Sequence, residues 1–305
     1  KSVSIVEYTY TMLITSQNLS VIIVSYKSDH VIHKCINSID PQIEIVVVEN
    51  SNNINFKNEI ENKYKNTRCI LSNENIGMGA GNNLGIKNIK NDFALILNPD
   101  VVLEKDTIEE LINASKKINS FGIISPISNN LEFPNYKLKQ DDHDKFDLIN
   151  PFKVKSVDGY AMLLNLKELK QIENFYFFDE NFFLYLENDD LCQRIQNIKK
   201  EIYIIPKAKI DHLGGKAVNP KYEYEVELTR NWHWMWSKFY FNKKHYGYLN
   251  ATFKILTSLL SAKIKILFYL VTFNKYKRNI YQMRLSGLLH SMLGKKSFYR
   301  PKIDS

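Results

Sequence analysis

Residues 94–103, ALILNPDVVL, join an apolar segment directly to an acidic side chain. Four apolar residues lead into Asn98-Pro99-Asp100, and three more apolar residues follow. Pro99 has no N–H and disfavours a continuing strand ladder, so we expect the strand to end there and to present Asp100 at its carboxyl end. Proline and aspartate are also common turn residues, so a functional role for Asp100 requires partners elsewhere in the chain.

Short β-branched segments alternate with helix-compatible segments around this stretch. The predicted elements are strands at 19–26, 43–48, 69–72, 93–97, 157–166 and 201–206, and helices at 82–91 and 106–119. In the first half this rhythm is typical of a parallel sheet with crossover helices. Ligands bind such sheets beyond the carboxyl ends of the strands, and Glu49, Asn50 and Asp100 all fall at such ends.

The composition indicates a folded protein with one large domain or two modest ones. The chain has 305 residues, of which 44% are hydrophobic, and only 11 Gly and 8 Pro. These numbers support a full core and exclude a disordered chain. Cys35, Cys69 and Cys192 are scattered without CxxC spacing, which argues against a disulfide framework or a zinc site and favours a reducing cytoplasmic setting.

The chain after residue 242 is basic and apolar. The net charge is +8, and Asp304 is the single acidic side chain of this region. Lys254, Lys263 and Lys265 interrupt the apolar residues, which makes a poor transmembrane span. The pattern predicts helices that lie on an anionic membrane surface, with a helical hairpin packed on the preceding domain as the alternative. No nucleic-acid-binding motif is present, so nucleic acid is not a predicted partner.

Seven segments follow one another along the chain: VIIVSYKS, IVVVENSNN, NENIGMGAGNNLGI, LILNPDV, DGYAML, FFLYLENDDLCQRI and DHLGGKAV. In these segments and their order, the sequence resembles the family-two glycosyltransferases, and within them a rhamnosyltransferase-like group. The resemblance covers about residues 19–247. It implies a GT-A fold, which is Rossmann-like with a mainly parallel sheet flanked by helices, followed here by a C-terminal helical tail.

The resemblance also implies a function and a division of the chain. The expected reaction is the inverting transfer of a sugar, such as L-rhamnose, from a nucleoside diphosphate donor to a hydroxyl of a surface polysaccharide or lipid-linked glycan. We expect a cytoplasmic protein, peripheral on the inner face of the cell membrane. The predicted parts are an N-terminal extension at 1–18, a glycosyltransferase domain at 19–247 and a basic amphipathic helical tail at 248–305. Within the domain we expect a nucleotide-sugar half at about 19–130 and an acceptor half at about 151–247. A surface loop or flap is predicted at 131–152.

The first candidate site is a metal centre. A divalent cation held by a carboxylate stabilises a diphosphate leaving group as a Lewis acid, and Mg²⁺ or Mn²⁺ needs only one or two carboxylates. Asp100 matches the last position of the family's Asp-any-Asp motif, while Asn98 stands at the first position and cannot contribute a charge. His212 matches the family's late histidine, and it would complete the metal shell or bond the diphosphate, with a structural role as the alternative.

The second candidate site is the acidic segment ENDD, residues 187–190. Inverting transfer needs a general base for the acceptor hydroxyl. Glu187 and Asp190 match the family's Glu-Asp-any-Asp pattern, and Glu187 is the favoured base, with Asp190, or Asp189 if the register slips, as the alternatives. The same segment would also stabilise the dipole of a following helix.

The resemblance assigns a further group of residues to donor binding. Glycines in GMGAGNNLG would let the backbone approach the sugar nucleotide, and the two asparagines would bond sugar hydroxyls or cap a helix. The predicted donor-binding residues are Ser25, Tyr26, Glu49, Asn50, Gly77, Gly79, Asn82, Asn83, Asn98 and Asp158.

A second class of function is a non-catalytic sugar-nucleotide-binding or membrane-binding relative. It is suggested by Asn98, Asn188 and Ala217, which depart from the family pattern. The retained acidic residues and His212 favour the enzyme.

Overall fold

The computed structural model describes residues 13–118, 120–130, 132–138 and 148–303. Residues 1–12 of the predicted extension, and residues 131 and 139–147 of the predicted surface loop, lie outside these ranges. The strands are β1 Leu19–Ser25, β2 Glu44–Glu49, β3 Thr67–Leu71, β4 Phe93–Leu97, β5 Val101–Leu103, β6 Ile123–Ser128, β7 Tyr136–Lys137, β8 Phe152–Lys153, β9 Ser156–Val157, β10 Ala161–Asn165 and β11 Ile202–His212. The helices are α1 Ile32–Asn37, α2 Ile54–Lys63, α3 Gly77–Lys87, α4 Thr107–Ser115, α5 Leu166–Lys170, α6 Glu187–Asn197, α7 Glu223–Tyr246, α8 Tyr248–Val271 and α9 Lys275–Met292.

One central sheet organises the first two thirds of the chain. Its strand order is β3-β2-β1-β4-β10-β6-β11-β5, and β8 pairs with β11. Strands β1 to β4 are parallel, as predicted, whereas β10 runs antiparallel between β4 and β6. All residues of β1 are buried, because helices cover both faces of the sheet. The predicted α/β fold is therefore confirmed.

The strand that leads into the predicted metal motif ends where the sequence predicts. Strand β4 spans Phe93–Leu97, and the chain leaves the sheet at Asn98-Pro99-Asp100 before the short β5 begins. Strand β11 is longer than the predicted 201–206. Its pairing with β6 shifts register between Ile205 and Lys209, and it then pairs antiparallel with β5, where His212 lies opposite Val101. This continuation brings His212 beside Asp100.

The predicted start of the third helix, at residue 82, is wrong. Helix α3 begins at Gly77, so the glycine-rich segment is itself helical. A Cβ on Gly81 would lie 2.8 Å from a methyl group of Val24 on β1. This glycine therefore allows close packing of α3 on the sheet, rather than an approach of the backbone to a ligand.

Three long helices complete the described chain. Met235 and Phe239 of α7, Ala251 and Ile255 of α8, and Leu288 of α9 form a small core of their own. The predicted helical tail is confirmed, and α8 and α9 pack on α7 as the hairpin alternative proposed. No helix in the described ranges is long and apolar enough to cross a membrane.

Candidate active site

A cleft of about 620 Å³ opens at the carboxyl ends of the parallel strands. Its walls come from the ends of β1, β2 and β4, the first turns of α3 and α6, the loop after β11, and one face of α7. Eight of the predicted site residues line it. They are Tyr26, Asn50, Gly77, Asn98, Asp100, Asp158, Glu187 and His212.

Asp100 and His212 form a pair at the floor of the cleft. Asp100 is 2% exposed, and its Oδ1 lies 3.5 Å from His212 Nε2. Its Oδ2 accepts a hydrogen bond from the Lys216 backbone N–H at 3.1 Å. The imidazole of His212 stacks on the Tyr160 ring, with centroids 4.0 Å apart. This packing fixes the direction in which the imidazole meets the carboxylate.

Two oxygen atoms beside this pair lack hydrogen-bond partners. Asp100 Oδ1 and Asn98 Oδ1 are both buried, and neither has a partner among the described residues. Buried polar atoms are normally satisfied, so these two oxygens are available to a ligand. Oxygen and imidazole donors in this number suit a divalent cation that keeps some water or phosphate ligands. The residues present therefore fit a metal, although the described ranges hold no group of three or more candidate side chains.

Glu187 faces the cleft from the first position of α6. Its side chain is buried, and its Oε2 has no hydrogen-bond partner within the described chain. Burial raises the pKa of Glu187 to about 7. The two residues before it, Tyr185 and Leu186, adopt φ values of 70° and 66°, a strained region for such side chains that costs about 1–3 kcal/mol each. Strain of this kind is typical of functional sites, where the surrounding packing holds it in place.

Asp190 has a different environment, although it lies only three residues further along α6. It is fully buried and does not line the cleft. Its carboxylate lies 2.8 Å from Arg194 Nε, 2.6 Å from Lys244 Nζ and 2.8 Å from His245 Nε2. Lys244 also reaches Asp179 Oδ2 at 2.7 Å. Asp190 therefore ties α6 to α7 and is not placed to meet an acceptor.

The donor side of the cleft is built from the ends of β1 and β2 and the start of α3. The amide of buried Asn50 donates to the Gly77 carbonyl at 3.1 Å. Gly77 has a φ of 85°, and a side chain there would overlap the Phe183 carbonyl, so only glycine fits. Burial raises the pKa of both Tyr26 and Asp158. Asp158 would thus keep its proton to a higher pH than a free carboxyl group.

The remaining predicted donor residues do not line this cleft. The Glu49 carboxylate accepts hydrogen bonds from the Ser51 and Asn53 backbone N–H groups at 2.9 and 2.7 Å, which shapes the loop after β2. Asn83 exchanges hydrogen bonds with the Phe178 backbone, and Gly79 packs on the same segment. Ser25 and Asn82 are buried, each with an oxygen that has no partner in the part of the chain described. For these five residues, donor contact stays a prediction.

Comparison with known proteins identifies the family of this chain. The sequence pattern of the family described as Glycosyl transferase family 2 matches residues 20–203, more than half of the chain. The chain belongs to glycosyl transferase family 2. The low-salt glycan biosynthesis hexosyltransferase Agl10 of Haloferax volcanii is 29% identical over 260 residues, which covers 79% of this chain and 82% of the relative. The protein is thus a glycosyltransferase.

Solved structures support the fold of this glycosyltransferase. A crystal structure of GalNAc-T7 with UDP, GalNAc and Mn²⁺ is similar with a TM-score of 0.53 at 13% identity, over 78% of this chain and 52% of that chain. The glycosyltransferase therefore spans about half the length of that structure. At this identity the likeness shows the GT-A-type fold alone.

Part of the cleft wall of this glycosyltransferase was not predicted from the sequence. Four residues of α7 line the cleft, at the spacing of one helix face: Val226, Thr229, Arg230 and Trp234. Trp234 is 40% exposed and meets the Tyr185 ring edge-on at 5.5 Å, and burial raises the pKa of Tyr185 to about 12. Arg230 donates to the Gly215 carbonyl at 2.8 Å. The sequence shows a tryptophan one helical turn after an arginine, but none of the seven segments that carry the family resemblance extends beyond Val218.

Proposed function

We propose that this protein is an inverting hexosyltransferase that uses a nucleoside diphosphate sugar and a divalent metal, Mg²⁺ or Mn²⁺. The observation that carries the proposal is one cleft that holds both the Asp100–His212 pair and Glu187, whose Oε2 has no hydrogen-bond partner among the described residues. Leaving-group stabilisation and acceptor deprotonation require these two kinds of group on opposite sides of the sugar. The hexosyltransferase relative supports the choice of a hexose, and L-rhamnose is the donor sugar that we test first.

Asp100 and His212 would hold the metal, with the Asn98 amide oxygen beside them. The bound cation would supply positive charge to the departing diphosphate. Asp100 suits this task because its Oδ2 accepts a hydrogen bond from the Lys216 N–H, while its Oδ1 lies 3.5 Å from His212 Nε2 and has no hydrogen-bond partner in the described structure. Tyr26, Asn50 and Gly77 form the adjoining wall, where we place the nucleoside.

Glu187 would act on the acceptor. Its unpartnered Oε2 accepts the proton of the acceptor hydroxyl while that oxygen bonds to the anomeric carbon of the sugar. The bond from the anomeric carbon to the diphosphate oxygen breaks on the opposite face, so the configuration inverts. A pKa of about 7 suits this role, because an effective base has a pKa near the working pH.

The α7 face would bind the acceptor. Trp234 and Tyr185 offer an aromatic surface next to Glu187, and Arg230 offers guanidinium donors beside it. An exposed aromatic ring with polar neighbours suits a pyranose, whose apolar C–H face packs on the negative face of the ring. We therefore assign the acceptor to a growing surface polysaccharide or a lipid-linked glycan.

We further propose that the protein works in the cytoplasm as a peripheral protein on the inner face of the cell membrane. Residues 248–303 contain eleven Lys and Arg residues and no Asp or Glu. Such a segment is attracted to anionic lipid, where a lipid-linked acceptor would be found.

The test is incubation of the protein with uridine, guanosine and thymidine diphosphate sugars, including L-rhamnose, in the presence of Mn²⁺. Release of nucleoside diphosphate with at least one donor is expected, and it should stop when the metal is chelated. Release that continues at the same rate after chelation would contradict the metal assignment. No release with any donor, in the presence of a glycan acceptor mixture, would contradict the proposed reaction.

A further inference from the structure

Helix α8 is apolar on two opposite faces. Ala251, Ile255 and Ala262 face inward and are at most 2% exposed. Large apolar side chains repeat on the outer face at intervals of three or four residues, the spacing of one helix face. This α8 outer stripe consists of Leu249, Phe253, Leu256, Leu260, Ile264, Leu267 and Val271, which are 47–76% exposed.

The α8 outer stripe is larger than the isolated apolar residues of an ordinary surface. At a rise of 1.5 Å per residue, it runs for about 33 Å along the helix. Contiguous apolar patches of this kind mark interaction sites. The inner face already makes the contacts with α7 and α9, so packing within the described chain does not account for the outer one.

The charges around the stripe identify its partner. Lys254, Lys263 and Lys265 are exposed on the same helix. Lys254 lies over the Tyr246 ring, and Lys265 donates a hydrogen bond to the Tyr281 hydroxyl. None of them pairs with a carboxylate of the described residues. A second copy of the chain would bring the same positive charges to the contact, whereas an anionic bilayer offers both apolar depth and opposite charge.

We propose that α8 lies flat in the interface of an anionic lipid bilayer, with the α8 outer stripe inserted among the acyl chains. The inference deepens the proposed function, on which it rests for the lipid-linked acceptor. Helix α7, which lines the cleft with Arg230 and Trp234, packs directly on α8 through Met235 and Phe239. Insertion of α8 would therefore hold the acceptor wall of the cleft close to the membrane surface.

The experiment uses the full chain and sedimentation with vesicles. The vesicles contain phosphatidylcholine alone or a mixture with phosphatidylglycerol, and the donor is absent. The stripe variant F253S/L260S/L267S removes three outward side chains, and the matched control I54S/L148S/I149S removes three exposed apolar side chains elsewhere. Wild type and control are expected to sediment with the anionic vesicles. The stripe variant should bind at least tenfold more weakly and keep its circular dichroism and melting temperature.

Further measurements distinguish a failure of the membrane inference from a failure of the proposed function. Vesicle binding of the stripe variant equal to wild type would overturn the inference. The inference would also be overturned if sedimentation equilibrium showed a dimer for wild type and a monomer for the stripe variant while vesicle binding stayed unchanged. The stripe would then contact a second copy of the chain. Transfer to a soluble acceptor should be unaffected in the stripe variant. If neither protein releases nucleoside diphosphate, the proposed function fails, while the vesicle result still decides the membrane contact.

Discussion

Glu187→Gln tests whether the buried carboxylate has the properties of the proposed base. The substitution keeps the shape of the side chain and removes its titration. Burial raises the pKa of Glu187 from an ordinary 4.5 to about 7. The folded state therefore binds more protons than the unfolded state between these two values, and the free energy of unfolding must fall as pH rises through that window.

The size of this effect follows from the two pKa values. With a pKa of 4.5 in the unfolded state and about 7 in the folded state, the group lowers the free energy of unfolding by about 3 kcal/mol at about pH 8, and by about 1 kcal/mol at about pH 5. E187Q lacks this cost. Its free energy of unfolding relative to wild type should therefore be higher at about pH 8 than at about pH 5, by about 2 kcal/mol. Any constant cost of burying the amide cancels in this difference.

Two measurements check this prediction. Urea unfolding at both pH values gives the stability difference, and the transfer rate is followed across the same range. The wild-type rate should rise about tenfold per pH unit below about pH 7 and then level off, whereas E187Q should lose roughly a hundredfold or more. Glu173→Gln, the same change at an exposed carboxylate, should alter neither quantity. An E187Q protein with full transfer rate and the same relative stability at both pH values would refute the reasoning.

Three further substitutions examine the rest of the site. Asp100→Ala should remove the Mn²⁺-dependent part of nucleoside diphosphate binding, because the unpartnered Oδ1 is lost; calorimetry with and without metal measures this, and unchanged metal dependence would contradict the assignment. Asp190→Asn should lower the free energy of unfolding by about 3–5 kcal/mol, since Arg194 and Lys244 lose the charge of a fully buried carboxylate; full stability in urea together with lost transfer would instead make Asp190 the base. Trp234→Ala should raise the acceptor KM severalfold and leave donor binding unchanged, with W234F restoring most of the affinity; steady-state kinetics with varied acceptor would show an unchanged KM if the aromatic surface has no such role.

Local rules of the chain were enough to place Asp100 at the carboxyl edge of the sheet. Pro99 ends a strand because it lacks an N–H, and that property belongs to the residue itself. The β-branched segments before Glu49 and Asp100 have the same local character, so the parallel strands and the edge at which they end could be predicted from the sequence. The resemblance to family two, now shown, added His212, which no local pattern connects to Asp100.

The two carboxylates of α6 depended on the tertiary structure. Glu187 and Asp190 lie within one turn of one helix, and the sequence made both of them candidates for the base. The difference comes from Lys244 and His245, more than fifty residues further along, which pair with Asp190, whereas Glu187 Oε2 has no hydrogen-bond partner among the described residues. A pKa depends on the dielectric environment and on charges in space, and neither is encoded by near neighbours in the chain.

The glycine-rich segment and the tail also show which properties the sequence determines and which the tertiary structure decides. The sequence determined that Gly81 has no side chain, but only the packing of α3 on β1 decided that this absence serves a helix–sheet contact. Likewise, the sequence determined that α8 is apolar and basic. Which of its residues form the inner core and which form the α8 outer stripe was decided by α7 and α9, because burial is a property of the neighbours that a folded chain brings together.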